Sequence, residues 1–207
     1  LGVIETRLRW LSSWMIHHAN TLRPKRDGLK VGGHQASCAS MTAIMAALYF
    51  HALRPNDKVA VKPHAGPVLH AIHYLLDEQS RERMERFRGL GGVQSYPSRT
   101  KDTIPVDFST GSVGLGVAVT AFASLVQDYL IAHGQLDPGE AGRMIALMGD
   151  AAHPMRPYLA QGAGMAIEDA AVAARCLADA EGDAVAAFAR YAALRAPRVT
   201  RELLVIL

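Results

Sequence analysis

Two short apolar runs, Lys58-Val-Ala-Val61 and Met144-Ile-Ala-Leu-Met148, lie far apart in the chain with helical patterns between them. No other feature constrains the fold as much. Each run is short enough to be a buried strand, and each is closed by a turn signal, Pro63 after the first and Gly149-Asp150 after the second. Strands joined through a long helical connection pair in parallel, because antiparallel neighbours need only a tight turn. The pattern therefore predicts an α/β domain: a small parallel sheet with flanking helices.

The segments around these runs read as helices. Residues 3–19 hold Ile4, Leu8, Leu11, Met15 and His18 at helical spacing. Asp27-Gly28 and Gly32-Gly33 break the chain, and a second helix rich in Ala, Met and Leu runs from about Ser37 to Ala52. Pro67 suits the first turn of a helix reaching Leu76. Residues 78–88 read as a charged helix, 89–110 as a long loop containing Pro97 and Pro105, and 113–132 as another helix. Loops of that length in compact domains often carry function. After Asp150 the composition shifts to an alanine-rich helical tail, 162–180 and then 184–207 around Pro197. The division expected is 1–150 and 151–207, with no linker between.

Composition narrows the function. Half of the 207 residues are hydrophobic and the net charge is only +3, so a packed core is affordable and global disorder is not expected. The arginines at 81, 83, 86 and 88 alternate with Glu82 and Glu85, which suits a solvated helix face. Aromatics for base stacking are scarce, so no nucleic-acid partner is expected. Cys38 and Cys176 lack CxxC partners, which argues against a disulfide framework or a zinc site. His70 and His73 share a helix face but have no evident third ligand, and read as packing or capping groups. No apolar run reaches membrane-spanning length and the N-terminus shows no signal peptide, so the expectation is a cytoplasmic chain, beginning inside a helix, with no membrane partner.

Three loop motifs would converge at one edge of a parallel sheet: Gly32-Gly-His34, Lys62-Pro-His-Ala-Gly66 and Gly111-Ser-Val-Gly-Leu-Gly116. Ligands of open α/β sheets sit beyond the carboxyl ends of the strands. Glycines there let backbone approach a ligand, helix N-termini favour phosphate, and imidazoles donate hydrogen bonds without a permanent charge. Asp150, ending its own strand, is placed to hold a magnesium ion against a diphosphate.

The order and wording of six stretches carry a resemblance. They are Arg7-Leu-Arg-Trp10, Gly32-Gly-His-Gln-Ala-Ser37, Pro63-His-Ala-Gly-Pro67, Gln94-Ser-Tyr-Pro97, Ser109-Thr-Gly-Ser-Val-Gly-Leu-Gly116 and Ile145-Ala-Leu-Met-Gly-Asp150. Residues 7–150 resemble the N-terminal thiamine-diphosphate-binding domain of the transketolase-like family, nearest to the homodimeric type of pyruvate dehydrogenase E1. The resemblance implies a thiamine-diphosphate-binding-like fold and keto-acid or ketose processing in a homodimer. His34 and His64 would touch the diphosphate and thiazolium as the catalytic histidines, Gly114, Leu115 and Gly116 would approach the cofactor through backbone, and Asp150 would ligate Mg²⁺. The family pattern then needs an asparagine beyond that aspartate, and this chain has only Asn20 and Asn56. The domain that supplies the activating glutamate in the family is expected to be absent as well. Weak or lost cofactor binding and impaired catalysis are therefore expected.

From the same aspartate a second resemblance begins. Gly149-Asp-Ala-Ala-His-Pro154, Pro157-Tyr-Leu-Ala-Gln-Gly-Ala-Gly164 and Met165-Ala-Ile-Glu-Asp-Ala170 resemble the last flavin-contacting motif of salicylate-hydroxylase-like FAD monooxygenases. A Gly-Ala-Gly turn opening a helix presents bare N–H groups and a positive dipole end. The resemblance implies that Asp150 binds the ribityl chain, that Pro157 lies near the flavin, and that Gly162, Ala163, Gly164 and Met165 donate backbone N–H groups. The first glycine fingerprint of such enzymes and its ribose-binding acid are absent. An apparent chimera leaves three readings: an incomplete thiamine-diphosphate enzyme domain, a fragment of an FAD-dependent aromatic hydroxylase, or a folded non-catalytic remnant.

Overall fold

The computed structural model describes residues 1–25, 27–112, 114–147, 171–180, 183 and 185–195. The chain divides into two compact units, residues 1–147 and 148–207. The first holds five α-helices and a two-stranded parallel sheet among its described residues: α1 (Gly2–His17), α2 (Gln35–Ala47), β1 (Lys58–Ala60), α3 (Gly66–Leu75), α4 (Arg81–Glu85), α5 (Leu115–Ala132) and β2 (Met144–Ala146). The register pairs Lys58 with Met144, Val59 with Ile145 and Ala60 with Ala146. This is the parallel α/β arrangement the sequence predicts, with helix dominating and strands of three residues rather than four or five.

The core follows from helical spacing. Leu8, Ser12, Met15 and Ile16 form the buried stripe of α1, and Cys38, Met41, Thr42, Met45 and Ala46 that of α2. Both helices widen into a single π turn, His18–Leu22 and Leu48–Ala52, before leaving in extended backbone at Arg23 and Leu53. Helix α3 is enclosed from Gly66 through His73, with Pro67 in its first turn where a missing N–H costs nothing. Helices α1, α2 and α3 pack on one another, and Val59 and Val61 join their apolar cluster. Helix α5 packs on both strands.

Asp57 fastens the start of the sheet. Its carboxylate accepts from the Arg143 amide (2.8 Å), from Arg143 Nε (3.0 Å) and from the Arg54 amide (2.9 Å). Hydrogen bonding by Arg143, the larger effect, holds the carboxyl far below the usual carboxylate range. The other edge of β1 is capped by Asp107, which accepts from the Val59 amide (2.9 Å) and pairs with Lys58 Nζ (3.1 Å).

Two expectations need correction. The charged helix shrinks to Arg81–Glu85, opened by Ser80, whose hydroxyl accepts from the Arg83 amide. Phe87 turns into the core and Arg88 takes a left-handed φ of 58°, so Arg88 leaves the solvated face and reaches inward. Helix α5 is, by length and composition alone, apolar enough to cross a membrane, contrary to the expectation that no run is. Its single charged residue, Asp128, is too little to interrupt the run. The helix is nonetheless tied to the domain: Gly116 lies over Ala60, and the Gln127 amide exchanges two hydrogen bonds with the Gly142 backbone (3.0 and 3.1 Å).

In the second unit, residues 171–179 and 185–195 are helical, and Cys176, Ala187 and Tyr191 form its small buried cluster. Arg190 pairs with Asp179 at 3.1 Å.

Candidate functional site

The carboxyl end of β1 is where the loop motifs meet. Past Val61 the chain makes a one-turn 3₁₀ helix, Pro63–Ala65, which presents His64. His34 caps α2, and its ring lies 4.1 Å from that of His64, centroid to centroid, at an interplanar angle of 35°. His34 is exposed and His64 half-buried. Cys38, one helical turn after His34, donates its thiol to the His64 carbonyl (3.3 Å), so α2 and the post-β1 turn are joined twice. Burial pushes that thiol up to about 12, with the charge of Lys62 acting against it.

The loop before His34 is held from two sides. The Asn20 side chain donates to the Gly32 carbonyl and accepts from the Gly32 amide, both at 3.0 Å. Arg88 donates to the Val31 carbonyl at 2.6 Å and lies 5.9 Å from the Tyr96 ring centre. Tyr96 stands 6.2 Å from His64, on a segment whose Ser95 carbonyl would be 2.9 Å from a Cβ placed on Gly66. Only glycine lets the segment come that close. Neither Asn20, Arg88 nor Tyr96 is a site candidate from sequence alone. Tyr96 sits inside the Gln94–Pro97 stretch that carries the first resemblance, and that was the available signal.

The third motif reaches the same end of the sheet. Thr110 is fully buried and donates its hydroxyl to the Val61 carbonyl (2.5 Å). Gly114 caps α5 with φ 85°, a left-handed turn that other residues enter at a cost. Leu115 is exposed, and Gly116 is buried against Ala60 and Thr110. The structure thus brings His34 and His64 together just past β1, with Thr110 and Gly116 against the carboxyl end of the same strand. Leu147 donates its amide to the Ala60 carbonyl (3.1 Å), so β2 ends at this edge too. Asp150, Pro157, Gly162, Ala163, Gly164 and Met165 lie outside the described residues. Among the described residues no group of three His, Cys, Asp or Glu side chains is placed to hold a metal ion.

His70 and His73 are buried packing groups, as the sequence suggests. Nε2 of His70 meets the Gln94 carbonyl at 3.1 Å, and Nδ1 of His73 meets Glu78 at 2.5 Å. Burial drives His70 down to about 4, with Gln94 acting against it. A separate groove of about 170 Å³ is lined by Trp10, Leu11, Trp14, Tyr74, Arg81 and Met84, and so by neither His34 nor His64.

Comparison with known proteins places two similarities along the chain. A family model described as FAD binding domain matches residues 122–203. Over 57 residues, 28% of this chain, the sequence is 54% identical to 3-hydroxybenzoate 6-hydroxylase of Klebsiella oxytoca. It is 52% identical over 61 residues, 29% of this chain, to 6-hydroxynicotinate 3-monooxygenase of Pseudomonas fluorescens. Over 144 residues, 64% of this chain, it is 28% identical to the pyruvate dehydrogenase E1 component of Mycobacterium tuberculosis. The matches cover 14%, 16% and 15% of those proteins, so the chain spans about a seventh of the relatives it matches. One chain therefore carries a long, low-identity likeness to pyruvate dehydrogenase E1 and a short, higher-identity likeness to FAD monooxygenases.

Proposed function

We propose that residues 1–147 descend from a thiamine-diphosphate-binding domain and keep its diphosphate-facing edge, and that this chain binds the cofactor weakly and does not turn it over alone. The observation that supports the reading is the pairing of His34 with His64 past the carboxyl end of β1, where Thr110 and Gly116 also contact the strand. Two imidazoles and a glycine-bounded helix start are donors without fixed cationic charge, which suits a diphosphate. Thiamine diphosphate, when bound, supplies an electron sink for a carbanion next to a former carbonyl. The chain's own contribution is to position the diphosphate: His34 and His64 by side chain, Gly114 to Gly116 by backbone, and Asp150 through Mg²⁺. Asn20 is committed to Gly32, and Asn56 precedes β1 at the other end of the strand. Neither fits as a second metal ligand, which supports weak binding.

A second reading rests on the higher identity to the monooxygenases. In it, Asp150, Pro157 and the Gly162–Met165 turn keep the flavin-contacting edge of an FAD-dependent hydroxylase. Thermal melts separate the two. Stabilisation grows as the logarithm of ligand concentration over Kd, so 1 mM cofactor against a Kd near 1 mM adds only about 0.4 kcal/mol. The expected result is a shift of about a degree with thiamine diphosphate and Mg²⁺ and none with FAD. A yellow protein as purified, or a larger shift with FAD, would favour the second reading. A shift of many degrees at micromolar thiamine diphosphate would refute the weak-binding claim.

A further inference from the structure

The segment 94–110 is folded over α3 and the His64 turn by a small set of bonds centred on one buried imidazole. His70 is fully buried on α3 and its Nε2 lies 3.1 Å from the Gln94 carbonyl. A carbonyl only accepts, so Nε2 carries the proton and Nδ1 is bare. That Nδ1 is buried without a hydrogen-bond partner. The side chain of Asp102 is 2% exposed and its Oδ1 stands 3.9 Å from His70 Nε2, while its Oδ2 accepts from the Ser98 amide at 2.8 Å. One imidazole and one carboxylate thus meet where the segment turns. From Gln94 the chain runs directly into Ser95, against Gly66, and Tyr96, beside His64.

We propose that His70 is a pH-gated fastener for this segment: neutral, it ties Gln94 to α3, and taking a proton on its buried Nδ1 is coupled to release of the segment, and of Tyr96, from His64. Of the groups facing His70, two favour that sign and one opposes it. Arg83 of α4 and His73 of α3 both oppose a second positive charge there, and burial opposes it most. Glu78 is engaged with His73, whose ring lies 6.4 Å from that of Tyr49. Asp102 works the other way, since burial raises its carboxyl and protonation favours the closed form. The fastener stands on its own geometry; only its effect on a ligand at His34 and His64 rests on the function proposed above.

Linkage sets the size of the effect. An imidazole that titrates at an ordinary 6.5 when released, and at about 4 when closed, loses stabilisation of the closed form as pH falls between those values. The opening constant then rises about tenfold per pH unit, up to about 300-fold. Hydrogen exchange on the full chain without ligand, corrected for the intrinsic pH dependence, reads it directly. Amides of 94–102 should open progressively from pH 6.5 to 4 while those of α1 and α2 stay protected. His70→Gln, which keeps a donor in place of Nε2, should abolish the rise, and Asp102→Asn should keep it. A flat profile in the 94–102 amides, or a rise shared equally by α1 and α2, would overturn the proposal. So would a His70→Gln protein that opens with the wild-type slope. If His70→Gln fails to fold, the wild-type contrast between 94–102 and α1 still decides. Persistence of the closed segment to pH 4 with thiamine diphosphate binding intact would sink the fastener alone.

Discussion

The rings of His34 and His64 lie 4.1 Å apart although they come from the cap of one helix and the turn after a strand. That contact depends on backbone packed behind it. The thiol of Cys38 reaches the His64 carbonyl, and Gly66 admits the Ser95 carbonyl where a methyl group would stand 2.9 Å away. Replacing Gly66 by alanine should force the 94–97 segment outward. Overpacking against backbone typically costs about 1–3 kcal/mol, so the melting temperature should fall by several degrees. An unchanged melt would show that the segment is not pressed on α3 as described.

Cys38 should be inert in the native state. Its thiol is fully buried and held up to about 12, chiefly by burial, and the thiolate is the reacting form. At pH 8 a disulfide reagent should label Cys38 only as fast as the protein opens, and denaturant should expose it at once. Rapid labelling of the folded chain, located at Cys38 by peptide mapping, would contradict this burial.

Asp57 should make the sheet acid-sensitive. Hydrogen bonding by Arg143 holds its carboxyl below the ordinary range in the folded state. A depressed carboxyl contributes stability that is complete above the unfolded value and is lost as pH falls below it. Asp57→Asn should lower the melting temperature at pH 7 and narrow the gap from wild type as pH drops through 4. A constant difference at all pH values would mean that the charge is not what matters.

Phe87 tests the corrected boundary of α4. The ring is 1% exposed, where an extended charged helix would have left it on a mixed face. Phe87→Ala should cost about 3–5 kcal/mol, read by chemical denaturation. A cost under about 1 kcal/mol would restore a solvated Phe87.

Much of this was legible in the residues. The two apolar runs and the helical patterns between them were enough for a parallel pair, because the period of the intervening segments left no room for a hairpin. The placement of His64 and Gly116 near the end of β1 follows from that topology. What the residues did not reveal was tertiary in origin. Arg88 reads as one more solvated charge until Phe87 buries and turns the backbone left-handed. Tyr96 lies in a loop with no periodicity, and it reaches His64 through tertiary contacts, among them the close approach at Gly66, the hydrogen bond from His70 and the Arg88 side chain. Helix α5 is apolar enough over Leu115–Ala132 to cross a membrane by length and composition, because a lone Asp128 does not interrupt the run.

The most direct test is saturation-transfer NMR of thiamine diphosphate with Mg²⁺ at millimolar concentration, comparing the wild-type chain with His34→Ala/His64→Ala. The account predicts a transfer signal on the cofactor in the wild type, lost or strongly reduced in the double variant, with both proteins equally folded by circular dichroism. No signal in the wild type, or an equal signal in the variant, would contradict the assignment of His34 and His64 to the diphosphate.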